Sequence, residues 1–320
     1  MNNSLHLSTI KKMNLRIMPF IMVLYLIAYI DRANISVAAL QMNADLAMTA
    51  EMYGIAAGIF YVTYIIFEVP SNVLLTRVGA RRWIARIMVS WGIIAAGMSL
   101  VQTPTQLYVM RFLLGAAEAG FTPGIIFYLS CWYPRSDRAR AMSLFYIGAA
   151  LASVIGLPLS GSLLNLHGML GVEGWRWLFL LEGIPAFVLG VVTWFYLDDA
   201  PANARWLTAE QRSYLQQTLA RDEQHSAIRD HNWRVALTSR RVWTLSLLWL
   251  LQAFGTIGIT LFLPMIVKAV AAERSNLTVS LLSAVPFLFA CIFMYLNGRH
   301  SDRTGERARH LGLPLMAAGL

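Results

Sequence analysis

The chain has 320 residues, of which 57% are hydrophobic and only 13% charged, with a mean hydropathy of +0.55. Soluble domains carry about 25% charged residues and do not bury runs of about 20 apolar residues without charge, so an ordinary soluble protein is excluded. The formal net charge of +9 does not point to nucleic acid, because the Arg and Lys fall in short segments between apolar runs, where membrane topology accounts for them.

In chain order, the sequence starts with a short polar stretch, MNNSLHLSTIKK. No small-residue cleavage pattern follows, so no removable signal peptide is expected. Eight spans are then predicted, at about 16–37, 53–75, 83–101, 107–130, 141–164, 176–197, 241–268 and 277–297. Each has the length of a tilted helix crossing about 30 Å of hydrocarbon. A ninth apolar stretch begins at Leu311 and is still running at Leu320, so the sequence reads as a C-terminally truncated piece of a longer protein. Trp132, Tyr133, Trp175 and Trp177 stand at span ends and read as interfacial aromatic belts. Gly156, Pro158 and Gly161 in the fifth span read as close-packing or bending positions. Cys131 and Cys291 lie in or beside apolar runs and read as small buried hydrophobes rather than a disulfide framework.

Loop charge sets the expected orientation. Lys11, Lys12 and Arg16 precede the first span, and Arg77, Arg81, Arg82 and Arg86 surround the second loop. Arg135, Arg138 and Arg140 mark the fourth loop, and Arg299, Arg303, Arg307 and Arg309 the eighth. The first and third loops are poor in Lys and Arg, so the N-terminus and the even loops are expected on the cytoplasmic side.

The stretch 198–240 is polar and charged, and Thr208 followed by Glu210 and Gln211 has the pattern of a helix start. It reads as a cytoplasmic linker with a short surface helix, between a six-helix bundle (1–197) and a partial second bundle (241–320) holding helices 7, 8 and the start of 9. An internal repeat supports that division. Arg77-Val-Gly79-Ala-Arg81 and Arg303-Thr-Gly305-Glu-Arg307 are offset by 226 residues, and the same shift lays the first span on the seventh and the second on the eighth. Two bundles in the same orientation are a transporter layout.

Four ionisable residues lie inside the first and fourth spans: Asp31, Arg32, Arg111 and Glu118. A charge at the membrane centre costs a few kcal/mol (~3), so each is expected to face a cavity or a partner. Asp31 and Arg32 point about 100° apart, whereas Arg111 and Glu118, two turns apart, share a face about 10 Å long. The guanidinium fork of Arg32 suits a carboxylate ligand. A proton-coupled carrier also needs a carboxyl that changes protonation with the state of the cavity, and Asp31 and Glu118 each have an Arg within possible reach. The competing structural readings are snorkelling for Asp31 and Arg32, anchoring for Arg111 and simple packing for Glu118. Glu68, before Val69-Pro70, reads as a gate or helix-end charge. The six histidines show no metal-ligand spacing and there is no P-loop, so no cofactor, metal or catalytic residue is expected.

Six helices, a long central loop and a loop motif in both halves resemble the major facilitator superfamily, whose motif is G-x-x-x-D-R-x-G-R-R. The second half matches it at Gly298, Asp302, Arg303, Gly305 and Arg307; the first half keeps Arg77, Gly79 and Arg81 but has Asn72 and Thr76 where the Gly and Asp belong. The strings LYLIAYIDRANISVAAL, FEVPSNVLLTRVGARRWIARIM, RFLLGAAEAGFTPGIIFYLSCWYP and GWRWLFLLEGIPAF are similar to the anion:cation symporter family. Bacterial members carry tartrate, sugar acids, phthalate or hydroxyphenylacetate, and animal relatives carry sialic acid and phosphate. The resemblance implies an all-helical facilitator fold in the bacterial inner membrane that imports an organic anion by proton symport, acting as a monomer. It also implies site roles: Asp31 and Glu118 as proton sites, Arg32 on the substrate carboxylate, Arg111 in support, and Tyr64 in contact with substrate. The loop motif would act in conformational change. The alternatives are a non-transporting membrane sensor of organic acids and an inactive fragment of a transporter.

Overall fold

Helix-start chemistry recurs along the chain and explains where the helices begin. Thr49, Thr103 and Ser275 each accept a hydrogen bond from the backbone N–H three residues on, satisfying a donor that the helix itself leaves free. Pro104 follows Thr103 at a position where its missing N–H costs nothing. The computed structural model describes residues 3–226, 238–306 and 308–318, and the described residues form helices without strands. The helices are α1 (Asn3–Arg16), α2 (Met18–Asp45), α3 (Ala50–Val78), α4 (Ala80–Gly97), α5 (Pro104–Glu118), α6 (Phe121–Trp132) and α7 (Arg135–Leu163). They continue with α8 (Gly174–Tyr196), α9 (Ala209–Ser226), α10 (Arg240–Val270), α11 (Asn276–Thr304) and α12 (Ala308–Ala318). Among the described residues, eight stretches are long and apolar enough to cross a membrane, with α5 and α6 sharing one of them. This is a multi-pass membrane protein.

Several helices outrun the predicted spans. The first continues to Asp45, because its polar end finds partners: Gln41 donates to the Leu164 carbonyl at 3.2 Å and Asp45 accepts from the Trp175 indole at 3.1 Å. The fourth predicted span is not one helix. It breaks at Ala119-Gly120, where Gly120 takes φ +86°. The Ser71 hydroxyl donates to the freed Ala119 carbonyl at 2.6 Å, and a Cβ on Gly120 would stand 2.3 Å from that hydroxyl.

The most extensive packing is α4 on α8, α2 on α7 and α3 on α5. In α4 and α8 the backbones nearly touch, since a Cβ on Gly92 would lie 2.4 Å from the Phe187 nitrogen and one on Gly183 2.5 Å from the Ala96 nitrogen. Small residues allow such approach where no hydrophobic force drives helices together. Gly156 and Gly161 are close-packing positions as expected, though against side chains: a Cβ on Gly156 would lie 2.8 Å from Ile30 Cγ1 and one on Gly161 2.5 Å from Ser280 Cβ. Contacts of α10 with α2 and of α11 with α7 tie the last two spans to the first six.

The segment after α8 holds the predicted helix. Thr208 and Gln211 cap each other reciprocally, Gln211 N–H to Thr208 Oγ1 and Thr208 N–H to Gln211 Oε1, both at 3.2 Å. The resulting α9 packs on α1, with Tyr214 on His6 at 3.0 Å and Lys12 donating to Gln211 at 3.1 Å. The aromatic belt does not hold for three of its residues. Trp132, Tyr133 and Trp175 are buried in protein: Trp132 stacks on Trp206, Tyr133 donates to Asn14 at 2.9 Å, and Trp175 donates to Asp45. Cys131 and Cys291 are half-buried rather than buried, and no disulfide joins them.

The 226-residue offset reappears in three dimensions. α3 and α11 both have 29 residues; the caps Thr49 and Ser275 and the terminating glycines Gly79 and Gly305 stand 226 apart, and both glycines have positive φ.

Candidate functional site

Three helices bring the predicted charges to one place. α2 supplies Asp31 and Arg32 midway along its length, α3 supplies Tyr64, and α5 supplies Arg111 and, as its last residue before the break, Glu118. The kink at Gly120 ends α5 there, so Glu118 sits at a helix end inside the bundle rather than in an unbroken span.

Glu118 is fully buried and accepts from Arg32 Nε at 2.5 Å, the one ion pair among the described residues that joins α2 to α5. The Arg32 guanidinium also lies 4.9 Å from the Tyr64 ring and 5.4 Å from the Tyr29 ring, a cation–π arrangement that holds its plane. Arg111 is 1% exposed. Its Nε donates to the Ala56 carbonyl at 3.2 Å, and its guanidinium stands 4.6 Å from the Phe60 ring. Arg32 Nη2, both Nη atoms of Arg111 and Glu118 Oε2 are shielded from solvent and have no hydrogen-bond partner. Unpaired buried donors are costly, and three lie on these two guanidinium groups.

Asp31 departs from expectation. It has no Arg within ion-pair distance; it accepts from the Trp91 indole at 2.7 Å and from Asn34 at 3.1 Å. The reason is helical geometry, which turns Asp31 toward α4 while Arg32 turns toward α3 and α5. The snorkelling and anchoring readings do not hold either, because Asp31 and Arg111 are enclosed by protein and Arg32 is bonded to Glu118. Tyr64 is half-buried beside Arg32, and Glu68 stands one turn further along α3, also half-buried.

The loop motif lies elsewhere. Gly79, at φ +97°, joins α3 to α4, and Asp199 lies against it, 3.0 Å from where a Cβ on Gly79 would stand. Its carboxylate accepts from the Arg81 backbone N–H at 3.0 Å and pairs with Arg81 Nε at 3.3 Å. Thr76, where the Asp would stand, only donates to the Val73 carbonyl of its own helix. Arg77 is exposed. In the second copy Gly305 caps α11 at φ +68° and Arg303 is exposed; Arg307 lies outside the described residues, as does the side chain of Asp302.

Sequence reasoning missed Glu182 and Asp199. Glu182, on α8, is 6% exposed and accepts from Ser160 at 2.7 Å, and its Oε2 has no partner. The rule that flags charges in apolar runs applies to it equally. Asp199 carried no such signal, because its partner lies 118 residues away. An apolar cavity of about 1150 Å³ also exists, but it is walled by α11 and α12 and lies apart from these charges.

Comparisons with known proteins agree with this architecture. The profile of the Major Facilitator Superfamily matches residues 21–320. A candidate tartrate transporter of Agrobacterium vitis is 46% identical over 317 residues, covering 99% of this chain and 70% of its own. The inner membrane transport protein RhmT of Escherichia coli (strain K12) is 40% identical over 323 residues, covering 100% of this chain and 74% of its own. In fold, the chain is similar to a bacterial homologue of the human lysosomal transporter Spinster, with a TM-score of 0.71 at 19% identity. That match covers 89% of this chain but 61% of the solved one. A D-xylose–proton symporter gives a TM-score of 0.69 at 16% identity, covering 90% of this chain and 69% of its own.

Proposed function

The chain belongs to the Major Facilitator Superfamily, a family of transport proteins rather than enzymes, and from that premise we propose that it imports a small organic anion together with a proton. The substrate class is a carboxylate such as tartrate, a sugar acid or an aromatic acid, in line with the name of the 46% identical relative. The setting is the bacterial inner membrane, with the N-terminus cytoplasmic, and the protein acts as a monomer. Two six-helix halves would rock about a site near the midplane.

One observation carries the reading: Arg32 Nη2 and both Nη atoms of Arg111 are buried donors without acceptors. A carboxylate ligand would accept from them as a planar fork. Tyr64, against the Arg32 guanidinium, would border the bound anion.

The Arg32–Glu118 pair supports proton coupling. An anion that draws Arg32 away leaves Glu118 buried without its cation. Losing one partner of a buried ion pair costs about 3–5 kcal/mol, and taking up a proton removes that cost. Anion binding and protonation therefore favour each other, and linkage makes the effect reciprocal. Asp31, held by Trp91 and Asn34, is the second proton site. The loop around Arg77, Gly79 and Arg81, with Asp302, Arg303, Gly305 and Arg307 in the second copy, would bias the conformational change.

The test is anion binding and proton-driven uptake by the protein reconstituted in liposomes, with tartrate and sugar acids as probes. Arg32→Lys should weaken binding at least tenfold by losing the fork. Asp31→Asn and Glu118→Gln should retain binding but lose its dependence on an imposed pH gradient. Undiminished proton coupling in both carboxyl variants would sink the symport assignment.

A further inference from the structure

Away from the charged cluster, a polar cavity of about 900 Å³ lies where α1 and α2 meet, at the start of α4, the end of α8 and the start of α9. The start of the first span, the start of the third and the end of the sixth lie on one membrane face by parity alone, so the cavity sits at a membrane surface. Four guanidinium groups line it, those of Arg16, Arg81, Arg205 and Arg212. Two carboxylates offset part of that charge, Asp199 beside Arg81 and Asp198 in the lining itself, which leaves the cations in excess. Asp199 is bound to Arg81, and Asp198 accepts from the Trp206 indole at 2.9 Å. Among the described residues, no carboxylate lies within 4.0 Å of Arg16, Arg205 or Arg212.

The cations are also held in place. The Arg16 guanidinium stands 4.8 Å from the Tyr196 ring and 5.6 Å from the Trp206 ring, and Tyr196 donates to the Arg16 carbonyl at 3.0 Å. The Nε atoms of Arg16 and Arg212 are shielded from solvent without an acceptor. Clustered like charges with unmet donors raise the energy of the empty site and favour an anion that brings several acceptor oxygens. Guanidinium forks match the oxygens of phosphate, as they do those of carboxylate, with paired hydrogen bonds. The mouth of the cavity is apolar on one side: Phe195, which lines it, is 80% exposed, and Val191 and Trp194 continue that face along α8. A ligand with a phosphate head and a hydrocarbon tail suits both surfaces, and basic pockets at helix ends near the membrane surface recognise lipid headgroups.

We propose that this cavity binds a phosphate group, supplied in the bilayer by the phosphodiester of an anionic phospholipid. The site shares no residue with the Arg32–Glu118 cluster; Arg81 alone also belongs to the loop motif of the transport reading, and the variants below leave it unchanged.

Native mass spectrometry of the delipidated protein in detergent tests it, with phosphatidylglycerol, phosphatidylcholine and inorganic phosphate as separate probes. Phosphatidylglycerol should bind at least tenfold more tightly than phosphatidylcholine, and Arg16→Gln combined with Arg205→Gln and Arg212→Gln should abolish that preference. The single Arg16→Lys variant, which keeps the charge but not the fork, should lie between. Arg274→Gln, in the exposed loop between α10 and α11, should leave it unchanged and controls for non-specific charge loss. If inorganic phosphate at millimolar concentration displaces the lipid, and the lipid preference is below threefold, the phosphate site stands and the lipid source is wrong. An undiminished preference in the triple variant, with its helix content intact by circular dichroism, overturns the site.

Discussion

Asp31 and Arg32 are chain neighbours, yet successive helical residues diverge by about 100° and meet different surroundings. Arg32 meets Glu118, an ion pair whose partner atoms Arg32 Nη2 and Glu118 Oε2 stay unbonded. Asp31 meets only neutral donors, Trp91 and Asn34. Its indole bond makes a specific prediction. Trp91→Phe keeps an aromatic ring but removes the donor, so a buried carboxylate oxygen loses its partner. The expected loss is about 1–3 kcal/mol of stability, read as a lower denaturation temperature in detergent. An unchanged temperature would show that Trp91 only fills space. Asp31 and Glu118 were legible as buried charges from their apolar surroundings in sequence. Which of them pairs with an Arg was not, because helix-to-helix orientation decides it.

At the scale of elements, the caps were legible and the breaks were not. Thr208 and Gln211 form the reciprocal cap that their spacing announces. The end of α5 was invisible, because Ala119-Gly120 is stabilised by Ser71, 48 residues away. The α4–α8 contact is likewise a property of two helices together. A Cβ at Gly183 would meet the Ala96 backbone at 2.5 Å, whereas one at Gly58 would meet nothing within 4 Å. Gly183→Ala should therefore cost about 1–3 kcal/mol through overpacking, while Gly58→Ala should be neutral or slightly stabilising. Chemical denaturation of the two variants side by side gives the comparison; equal stabilities would refute close approach of α4 and α8.

For the whole molecule, the proposed orientation has a direct test. With Cys131 and Cys291 replaced by Ser, a cysteine at Leu170, 81% exposed between α7 and α8, should react with an impermeant maleimide on intact cells. One at Glu210 on α9 should react only after permeabilisation, and the reverse pattern would invert the topology. Sequence by itself determined the membrane class, the eight spans, the cap of α9 and the 226-residue correspondence that α3 and α11 repeat in their caps and terminating glycines. These are legible because hydropathy, capping and repeats act over one helix or one register. Tertiary structure alone decided that Trp132, Tyr133 and Trp175 face protein rather than the interface, that Asp199 serves Arg81, and that Glu118 rather than Asp31 holds Arg32. Each of those outcomes depends on which side chains meet across helices distant in sequence, and no local pattern encodes that meeting.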